Sequence, residues 1–473
     1  MSGIIRVCSS TGGGKNTTPI IRNFRQEGDT QADSFNVKYI AEDFENTILR
    51  HYIYINGQKK EITNEVGYEN PNNEFSYRVD NLIMGTTYNI RIEVTDGIDT
   101  VRTENLAITT LSHLIYGVRV MENNSNSETC CTYIESAIGT QPANSTSFGG
   151  WRDKFPFNEL RIVGFKNGQE VGNGINPQNK KHYWGGYVVP ADVDVMVKIP
   201  KIYWKINNIE NGYEILISKG KFDGSDCFAH KVNGVEKDYI YVGAYLGSVE
   251  NGKLRSKADI APTISQNINQ MRNYAHANGE GYQQMNWFTL ALLQNLFILA
   301  FKNLNSQSAL GMGVCGLSYK LNTGTTFNTD WMYGTQNKYK QIVFLGMEDF
   351  YGNIWQFIDG IFIDESYNIL ITPDNKTFND NGSGYKNIGT VEYTSGNISK
   401  VLHTNEGGFL PIEGRGSTTT HYADSVTINN NSMARFGGDW AGDLKNGAFS
   451  INISCKPNTQ TTFIGSRLCY LGV

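Results

Sequence analysis

The chain has 473 residues, which is more than a single hydrophobic core ordinarily supports, so we expect two or more domains. Its formal net charge is only −5 and it has no basic run or acidic tail, which excludes a nucleic-acid partner and a disordered solvating arm. The longest apolar stretch, residues 285–301, is interrupted by Asn286, Gln294 and Asn295, so no membrane insertion is expected.

Two residue types that favour turns are unusually common, since the chain holds 50 Gly and 51 Asn. Gly adopts left-handed backbone without steric cost, and Asn tolerates it. Charged residues make up 18% of the chain and aromatic residues 12%. This composition is typical of a turn-rich, mainly β protein that presents Tyr, Asn and Ser on a binding surface.

The seven cysteines are scattered and odd in number, and they form no metal-binding pattern. They predict reduced thiols in a protein made in a cytoplasm. The segment Met1–Arg6 lacks a positive region followed by an apolar core, so no signal peptide is expected.

The first part of the chain predicts an arm followed by a β domain. Residues 1–28 are rich in Gly, Ser and Thr and predict an N-terminal attachment segment. Residues 29–112 contain short alternating runs at regular spacing, with a hairpin turn at Asn56-Gly57. The run Leu82–Val94 is similar to the "L-x-x-G-T-x-Y-x-I-x-V" signature of fibronectin type III domains. This resemblance implies a β-sandwich that acts as a spacer.

The same resemblance implies specific positions for side chains of that run. The hydroxyl of Tyr88 would bond back to the preceding turn. Alternate residues, namely Ile90, Ile92 and Val94, are expected in the core. The residues between them, Asn89, Arg91 and Glu93, are expected in solvent.

The remaining residues, 113–473, divide into three stretches. Residues 113–260 contain predicted strands, and their order resembles a recurrent phage tail-protein module with "YGVR", "MVKIPK" and "VGAY" strands. Residues 261–302 contain two predicted helices, the second with one apolar stripe. Residues 303–473 predict a core of many short strands joined by Gly- and Asn-rich connections.

The most specific pattern lies in two blocks near the C-terminus. One is Gly346–Phe357, and the other comprises Arg435–Trp440, Asn446–Ile451 and Phe463–Leu468. Together they resemble the closing half of C-type-lectin-type folds. The variants in question are the formylglycine-generating-enzyme/sulfatase-modifying group and the variable receptor-binding proteins of phages with diversity-generating retroelements.

This resemblance implies a fold and two framework residues. We expect a mainly β protein with a minor α part: a fibronectin III-like β-sandwich followed by an α+β C-type-lectin-type domain over residues 113–473. Arg435 and Arg467 match the two framework arginines of the family, and a structural role is expected for both.

In the retroelement-associated proteins, the stretch between these blocks forms the exposed receptor face. By position, the face predicted here would hold Asp439, Trp440, Asp443, Lys445, Asn446, Ser450, Asn452, Ser454, Lys456, Asn458, Thr459 and Gln460. Asn452 and Ser454 alternate with Ile451 and Ile453, so they are expected on one strand face. An ordinary solvated strand is the alternative interpretation of the same pattern.

Fewer residues support an enzymatic function than support the predicted receptor face. An oxidase of the formylglycine-generating type needs two close thiols, and Cys455 and Cys469 lie in the right region, but the Cys-containing block of that family is absent. A glycan depolymerase needs two carboxylates about 5–10 Å apart. Candidates by residue type alone are Asp349, Asp359, Asp364 and Glu365. We therefore predict no catalytic residue.

The sequence predicts no cofactor. No calcium-loop motif and no calcium-dependent sugar motif occurs. A structural calcium ion stays open, because backbone carbonyls bind calcium without a motif.

The resemblances together imply a phage tail or tail-fibre receptor-binding protein that adheres to a glycan or protein on a host bacterium. Its other partners would be tail or baseplate proteins, and the class implies a homotrimer. Such a protein is made in the host cytoplasm and works on the virion, which agrees with the cysteine pattern. The alternatives are a structural baseplate or spike component without receptor contact, and a glycan depolymerase.

Overall fold

The computed structural model describes residues 5–7, 16–44, 48–69 and 74–472. Strands account for 39% of the chain and helices for 8%, so the protein is mainly β, as the composition and the strand patterns predict. No described helix combines the length and the hydrophobicity needed to cross a bilayer. The chain forms two compact units: the residues up to Leu114 with Lys219–Ser225, and Ile115–Ser218 with the residues from Asp226 onward.

The first unit consists of two antiparallel sheets around one core. One sheet has the strand order β1, β9, β8, β4, β5, with β10 also pairing with β8; the other has the order β2, β3, β7, β6. The strands are β1 (Ile5–Val7), β2 (Ile20–Glu27), β3 (Phe35–Glu42), β4 (Arg50–Ile55), β5 (Gln58–Glu61), β6 (Gly67–Glu69), β7 (Glu74–Val79), β8 (Thr87–Thr95), β9 (Thr100–Arg102) and β10 (Leu106–Thr109). Strand β2 comes from the segment predicted as an arm.

The core of this unit follows the predicted alternation. Ile90, Ile92 and Val94 of β8 are all fully buried against residues of β3 and β4. The hydroxyl of Tyr88 accepts a hydrogen bond from the backbone N–H of Ile83 at 2.7 Å, which confirms the predicted contact with the preceding turn. This bond fixes the connection that leads into β8.

One residue of this unit that the sequence predicts to be exposed to solvent is in fact buried. The alternation predicts Glu93 in solvent, but Glu93 is only 2% exposed. Arg102 Nε lies 2.5 Å from one carboxylate oxygen, the Tyr54 hydroxyl donates to the same oxygen at 2.9 Å, and Lys59 pairs with the other. Long cationic side chains from neighbouring strands therefore cover the carboxylate, as lysine and arginine stems commonly do.

The second unit contains three larger sheets and five two-stranded ribbons. Its strands are β11 (Ile115–Met121), β12 (Cys131–Glu135), β13 (Arg161–Lys166), β14 (Gln169–Val171), β15 (Ile175–Asn176), β16 (Asn179–Tyr183), β17 (Asp194–Pro200), β18 (Tyr203–Ile209), β19 (Gly212–Ser218), β20 (Lys231–Val232), β21 (Val235–Glu236), β22 (Tyr239–Gly243), β23 (Gly247–Glu250), β24 (Lys253–Ser256), β25 (Tyr282–Gln284), β26 (Val343–Phe344), β27 (Met347–Glu348), β28 (Trp355–Ile363), β29 (Asn368–Ile371), β30 (Lys386–Thr390), β31 (Thr394–Asn397), β32 (Lys400–Val401), β33 (Pro411–Glu413), β34 (Ser425–Ile428), β35 (Ser432–Phe436), β36 (Ile451–Cys455), β37 (Ile464–Gly465) and β38 (Leu468–Tyr470).

The sheets combine distant parts of the chain. A four-stranded sheet has the order β12, β11, β19, β18, and a six-stranded sheet has the order β14, β13, β17, β22, β38, β25. The C-terminal strand β38 thus pairs with β22, more than 200 residues earlier by numbering. An eight-stranded sheet has the order β30, β29, β28, β35, β36, β34, β31, with β37 parallel to β28.

The two predicted helices are present within residues 261–302. Helix α1 (Ile268–His276) begins with a capping box, in which Asn267 and Gln270 exchange side-chain-to-backbone hydrogen bonds of 2.9 and 3.0 Å. Helix α2 (Trp287–Phe301) is buried at every residue, so its apolar surface is wider than the single stripe that the sequence predicts. A short third helix, α3 (Ser306–Ala309), follows.

We predict that Tyr88→Phe destabilises the first unit by about 1–2 kcal/mol, because the Ile83 N–H loses its acceptor. Hydrogen–deuterium exchange of the full chain measures this as faster exchange across residues 82–90. Tyr52→Phe is the control, because its hydroxyl makes no hydrogen bond to the described residues. Equal exchange in both variants would contradict the contact.

Candidate functional site

The eight-stranded sheet buries one face in the main core and opens part of the other to solvent. Ala434, Ile453 and Ile428, which belong to three neighbouring strands, are all at most 1% exposed and lie in the main hydrophobic cluster. On the same strands Arg435, Asn452 and Thr427 alternate with them and are half-buried and polar, whereas Met433 is buried. The outward part of this sheet is therefore a polar surface supported directly by the core.

Four polar residues lie side by side on this outward face. Arg435 pairs with Asn452, Asn452 pairs with Thr427, and Thr427 pairs with Ser395 across four successive strands. We call these four residues the polar row. The hydroxyls of Ser395 and Thr427 are 3.5 Å apart, and Ser454 donates a 2.6 Å hydrogen bond to the Asn452 side chain.

The predicted display residues fall into three groups by exposure. The exposed ones are Asp443, Lys445, Lys456, Asn458 and Gln460. The half-buried ones are Asp439, Asn452, Ser454 and Thr459. The buried ones are Trp440, Asn446 and Ser450. The last group supports the surface from beneath, because buried side chains do not reach a ligand.

The buried group has identifiable packing partners. The Trp440 ring stacks on Phe463 with ring centroids 4.8 Å apart. The Asn446 side chain donates to the backbone carbonyl of Asp439, and Ser450 donates to the carbonyl of Ser425 at 3.3 Å. These contacts fix the loop that leads into β36.

The exposed group lies at the two ends of β36. Before the strand, a short 3-10 turn carries Asp443 and Lys445, whose backbone carbonyl accepts a 3.0 Å hydrogen bond from Ser425. After the strand, the Lys456 amine bonds to the carbonyls of Asn430 and Asn431 at 2.9 Å. Gln460 bonds to the side chain of Gln270 at 2.9 Å. Of the predicted set, the structure thus places Asn452 in the polar row and Ser454 in contact with it.

The framework beneath is centred on Arg467, which is fully buried. Its guanidinium donates hydrogen bonds of 2.7–2.8 Å to the Gln356 side chain and to the backbone carbonyls of Gly243, Glu348 and Asp349. Burial lowers the pKa of Arg467 to about 10, and the neighbouring Asp349 carboxylate opposes that shift. The expected framework role of Arg467 agrees with these contacts.

Two adjacent carboxyl groups complete the framework. Glu348 accepts from the backbone N–H groups of Gly324 and Thr326 at 2.6 and 2.9 Å, and Asp349 accepts from the Gln341 and Asn353 side chains at 2.6 and 2.8 Å. Burial raises the pKa of both groups. Their contacts are structural, which argues against Asp349 as a hydrolytic residue.

Two of the three other carboxylates considered for hydrolysis, Asp359 and Asp364, also have structural partners. Asp359 pairs with Arg272 at 2.6 Å and accepts from Gln284 at 2.8 Å. Asp364 accepts from the backbone N–H groups of Ser366 and Asn368 at 2.9 and 2.8 Å. Asp359 thus forms a buried ion pair, and the hydrogen bonds to Asp364 stabilise a turn.

The thiols considered for copper binding are both buried. Burial raises the pKa of Cys469 to about 12 and also raises the pKa of Cys455. Such thiols are mostly protonated at neutral pH, whereas metal binding and nucleophilic chemistry use the thiolate.

One group of potential metal ligands occurs among the described residues. Oxygen and sulfur atoms of Asp226, Cys227 and Glu236 lie within 4.8 Å of one another. Lys231 bonds both oxygens of Asp226 at 2.5 and 2.6 Å, and the Tyr203 hydroxyl donates to Glu236 at 2.5 Å. The carboxylates are therefore already engaged by protein groups.

Arg435, Thr427 and Ser395 are the residues of the polar row that the sequence did not predict as surface groups. The family resemblance implies a framework role for Arg435, but Arg435 is half-buried and its guanidinium carbon lies 4.7 Å from the centroid of the Trp355 ring. For Thr427, the alternation of Ser425, Val426, Thr427 and Ile428 was the available signal, but it does not reveal the neighbouring strands.

No protein-family model and no curated protein matches the chain. Among solved structures, the chain is similar to three described as the Major Tropism Determinant U1, I1 and P3c variants. The identities are 15%, 15% and 14%, and the TM-scores are 0.25, 0.26 and 0.26. Each comparison covers 82% of this chain and 81% of the other. These values are too low to transfer a fold or a function.

We predict that Arg467→Met lowers the free energy of unfolding of the second unit by about 3–5 kcal/mol, because buried acceptors lose their donor. Arg435→Met is the matched control, with an expected loss within about 1 kcal/mol from the ring contact alone. Urea unfolding followed by tryptophan fluorescence reports on this unit, because all 7 Trp belong to it. Similar losses in the two variants would contradict the assigned roles.

We also predict a pH dependence from Asp424, whose carboxylate accepts a 2.8 Å hydrogen bond from the Phe449 N–H. Burial raises the pKa of Asp424 well above its usual value, so its contribution to stability is complete below the unfolded-state pKa and decreases as pH rises through the folded-state pKa. Asp424→Asn should therefore gain stability relative to the unaltered chain as the pH rises from about 4 toward neutrality. A difference that stays constant over this range, measured by urea unfolding, would refute the shift.

Proposed function

We propose that this protein is a phage tail or tail-fibre receptor-binding protein that adheres reversibly to the surface of a host bacterium. The observation that carries the proposal is the polar row, which lies on a sheet whose other face packs Ala434, Ile453 and Ile428 into the main core. The contacts of Arg467 support this interpretation, because they hold the strands beneath the surface in one arrangement. A rigid surface loses little conformational entropy on binding.

The chemistry of the surface suits a polar ligand. Ser395, Thr427 and Ser454 provide hydroxyl groups and Asn452 provides an amide, and each of these groups both donates and accepts hydrogen bonds. Sugar hydroxyls and the backbone of a surface protein offer the complementary groups. The proposed receptor is therefore a glycan or a protein of the cell envelope.

Weak single contacts are sufficient for such adhesion. A shallow polar site binds with a Kd near 1 mM, which corresponds to about −4 kcal/mol. Linking several sites on one assembly raises the overall affinity about 10²- to 10⁴-fold. We therefore propose a homotrimer at the tip of the virion tail, with the first unit as a spacer toward the other tail or baseplate proteins.

We predict that Asn452→Trp abolishes binding of the purified full chain to host cells, because an indole at the centre of the polar row blocks access to its neighbours. The measurement is flow cytometry of a panel of bacterial strains with the fluorescently labelled chain. Asn208→Trp is the matched control, because Asn208 is an exposed asparagine on β18, in the four-stranded sheet.

The expected result is strain-selective labelling by the unaltered chain and by Asn208→Trp, and loss of labelling by Asn452→Trp. Two outcomes would refute the proposal. One is full labelling by Asn452→Trp, and the other is no labelling of any strain by the unaltered chain, which would favour a purely structural tail component.

A further inference from the structure

The side chain of Arg435 differs from the other arginines of the second unit that are not exposed. Arg272 pairs with Asp359 and Asp380 at 2.6 and 2.9 Å, and Arg255 pairs with Asp194 at 3.0 Å. Arg467 has four oxygen acceptors. Arg435 has no side-chain hydrogen bond and no ion pair with any described residue.

The side chain of Arg435 lacks a hydrogen-bond acceptor within the described part of the chain, which lowers the stability of the folded protein. The Nε atom of Arg435 is buried and has no hydrogen-bond partner among the described residues. A buried donor without a partner commonly costs about 1–3 kcal/mol. The terminal guanidinium nitrogens of Arg435 are not among the buried unpaired atoms, so they are the donors open to a ligand.

The guanidinium is held in place by Trp355. It lies 4.7 Å from the centroid of that ring, and the indole N–H donates a 2.8 Å hydrogen bond to Asp439. The second oxygen of Asp439 accepts from the Ala441 N–H at 2.9 Å. Asp439 is thus engaged with the indole edge and a backbone group, and the stacked guanidinium keeps its charge available.

The neighbours of Arg435 on the open face are neutral. Asn452 pairs directly with it, and Thr427 and Ser395 follow across the sheet. A fixed positive charge therefore lies at one end of a row of hydroxyl and amide groups. This arrangement complements a molecule that carries one negative group beside several hydroxyls.

We propose that Arg435 binds the carboxylate of an acidic glycan, with Asn452 and Thr427 binding hydroxyls of the same or the adjacent sugar. The proposal rests on the proposed adhesion function and specifies its ligand. A planar guanidinium binds a planar carboxylate through two parallel hydrogen bonds.

A glycan is favoured over an acidic protein surface by the composition of the row. Protein interfaces concentrate aromatic and other large apolar residues at their centre. The polar row instead presents small hydroxyl and amide side chains, and its apolar residues face the core. Hydroxyl-rich sugars fit such a surface without leaving polar groups unpaired.

The test measures binding of the full chain to immobilised polyuronates, namely polygalacturonate, hyaluronan and alginate, and to polysialate. Each polymer is also presented in a carboxyl-reduced form that is neutral but has the same backbone. Polyphosphate and poly-glutamate are included as anions of other classes. We expect binding to at least one acidic polysaccharide and loss of that binding on carboxyl reduction.

Arg435→Met is expected to weaken the binding about 10- to 100-fold. Arg435→Lys should bind with intermediate affinity, because lysine keeps the charge but lacks the two-pronged geometry. Arg152→Met is the matched control and should bind as the unaltered chain does. Arg152 is exposed and lies outside the eight-stranded sheet. Its guanidinium carbon is 5.5 Å from the Phe148 ring centroid, so it resembles Arg435 in its ring contact.

Several results would overturn the inference. These are binding by Arg435→Met within twofold of the unaltered chain, equal binding to carboxyl-reduced polymers, and binding to polyphosphate or poly-glutamate in place of the acidic polysaccharides. Absence of binding to every acidic polysaccharide would also overturn it.

The cell-labelling assay separates this inference from the proposed function. If Asn452→Trp abolishes labelling and Arg435→Met does not, the surface binds cells but Arg435 does not determine the ligand. If neither variant reduces labelling, the adhesion proposal itself fails.

Discussion

Hydrogen bonding by one buried guanidinium sets the arrangement of the second unit. Arg467 joins the end of β22, the Glu348-Asp349 segment and the side chain of Gln356 through donors that point in fixed directions. Gln356 belongs to β28, which pairs with β35, and β35 carries Arg435. The position of the open surface therefore depends on a contact made in the interior, where an unpaired acceptor is costly.

Arg435 and Arg467 show how location decides the role of a residue type. Arg467 is enclosed by carbonyl and amide oxygens, so its loss leaves several buried groups unpaired. Arg435 lies at the boundary of the same core, stacked on Trp355, and has no oxygen acceptor among the described residues. The first arginine holds the framework, and the second is available to a ligand.

The sequence predicts what depends on local periodicity. The alternation in β8 and the positions of α1 and α2 follow from residues close together in the chain, and the Tyr88 contact is what the signature resembled by the Leu82–Val94 run implies. Contacts between distant segments were not predictable in this way. Glu93 is covered by residues of other strands, and the polar row forms only when strands from residues 394 to 455 pair. Short Asn- and Gly-rich strands also carry little periodic signal.

The open part of the eight-stranded sheet is the surface proposed to contact the host. Site-specific photo-crosslinking tests this contact most directly, with a benzophenone amino acid placed at Ser395 or, for comparison, at Asn208 of the full chain. After irradiation on cells that the chain labels, we expect covalent adducts with envelope material from position 395 and none from position 208. Adducts from position 208 without adducts from position 395 would contradict the proposed contact.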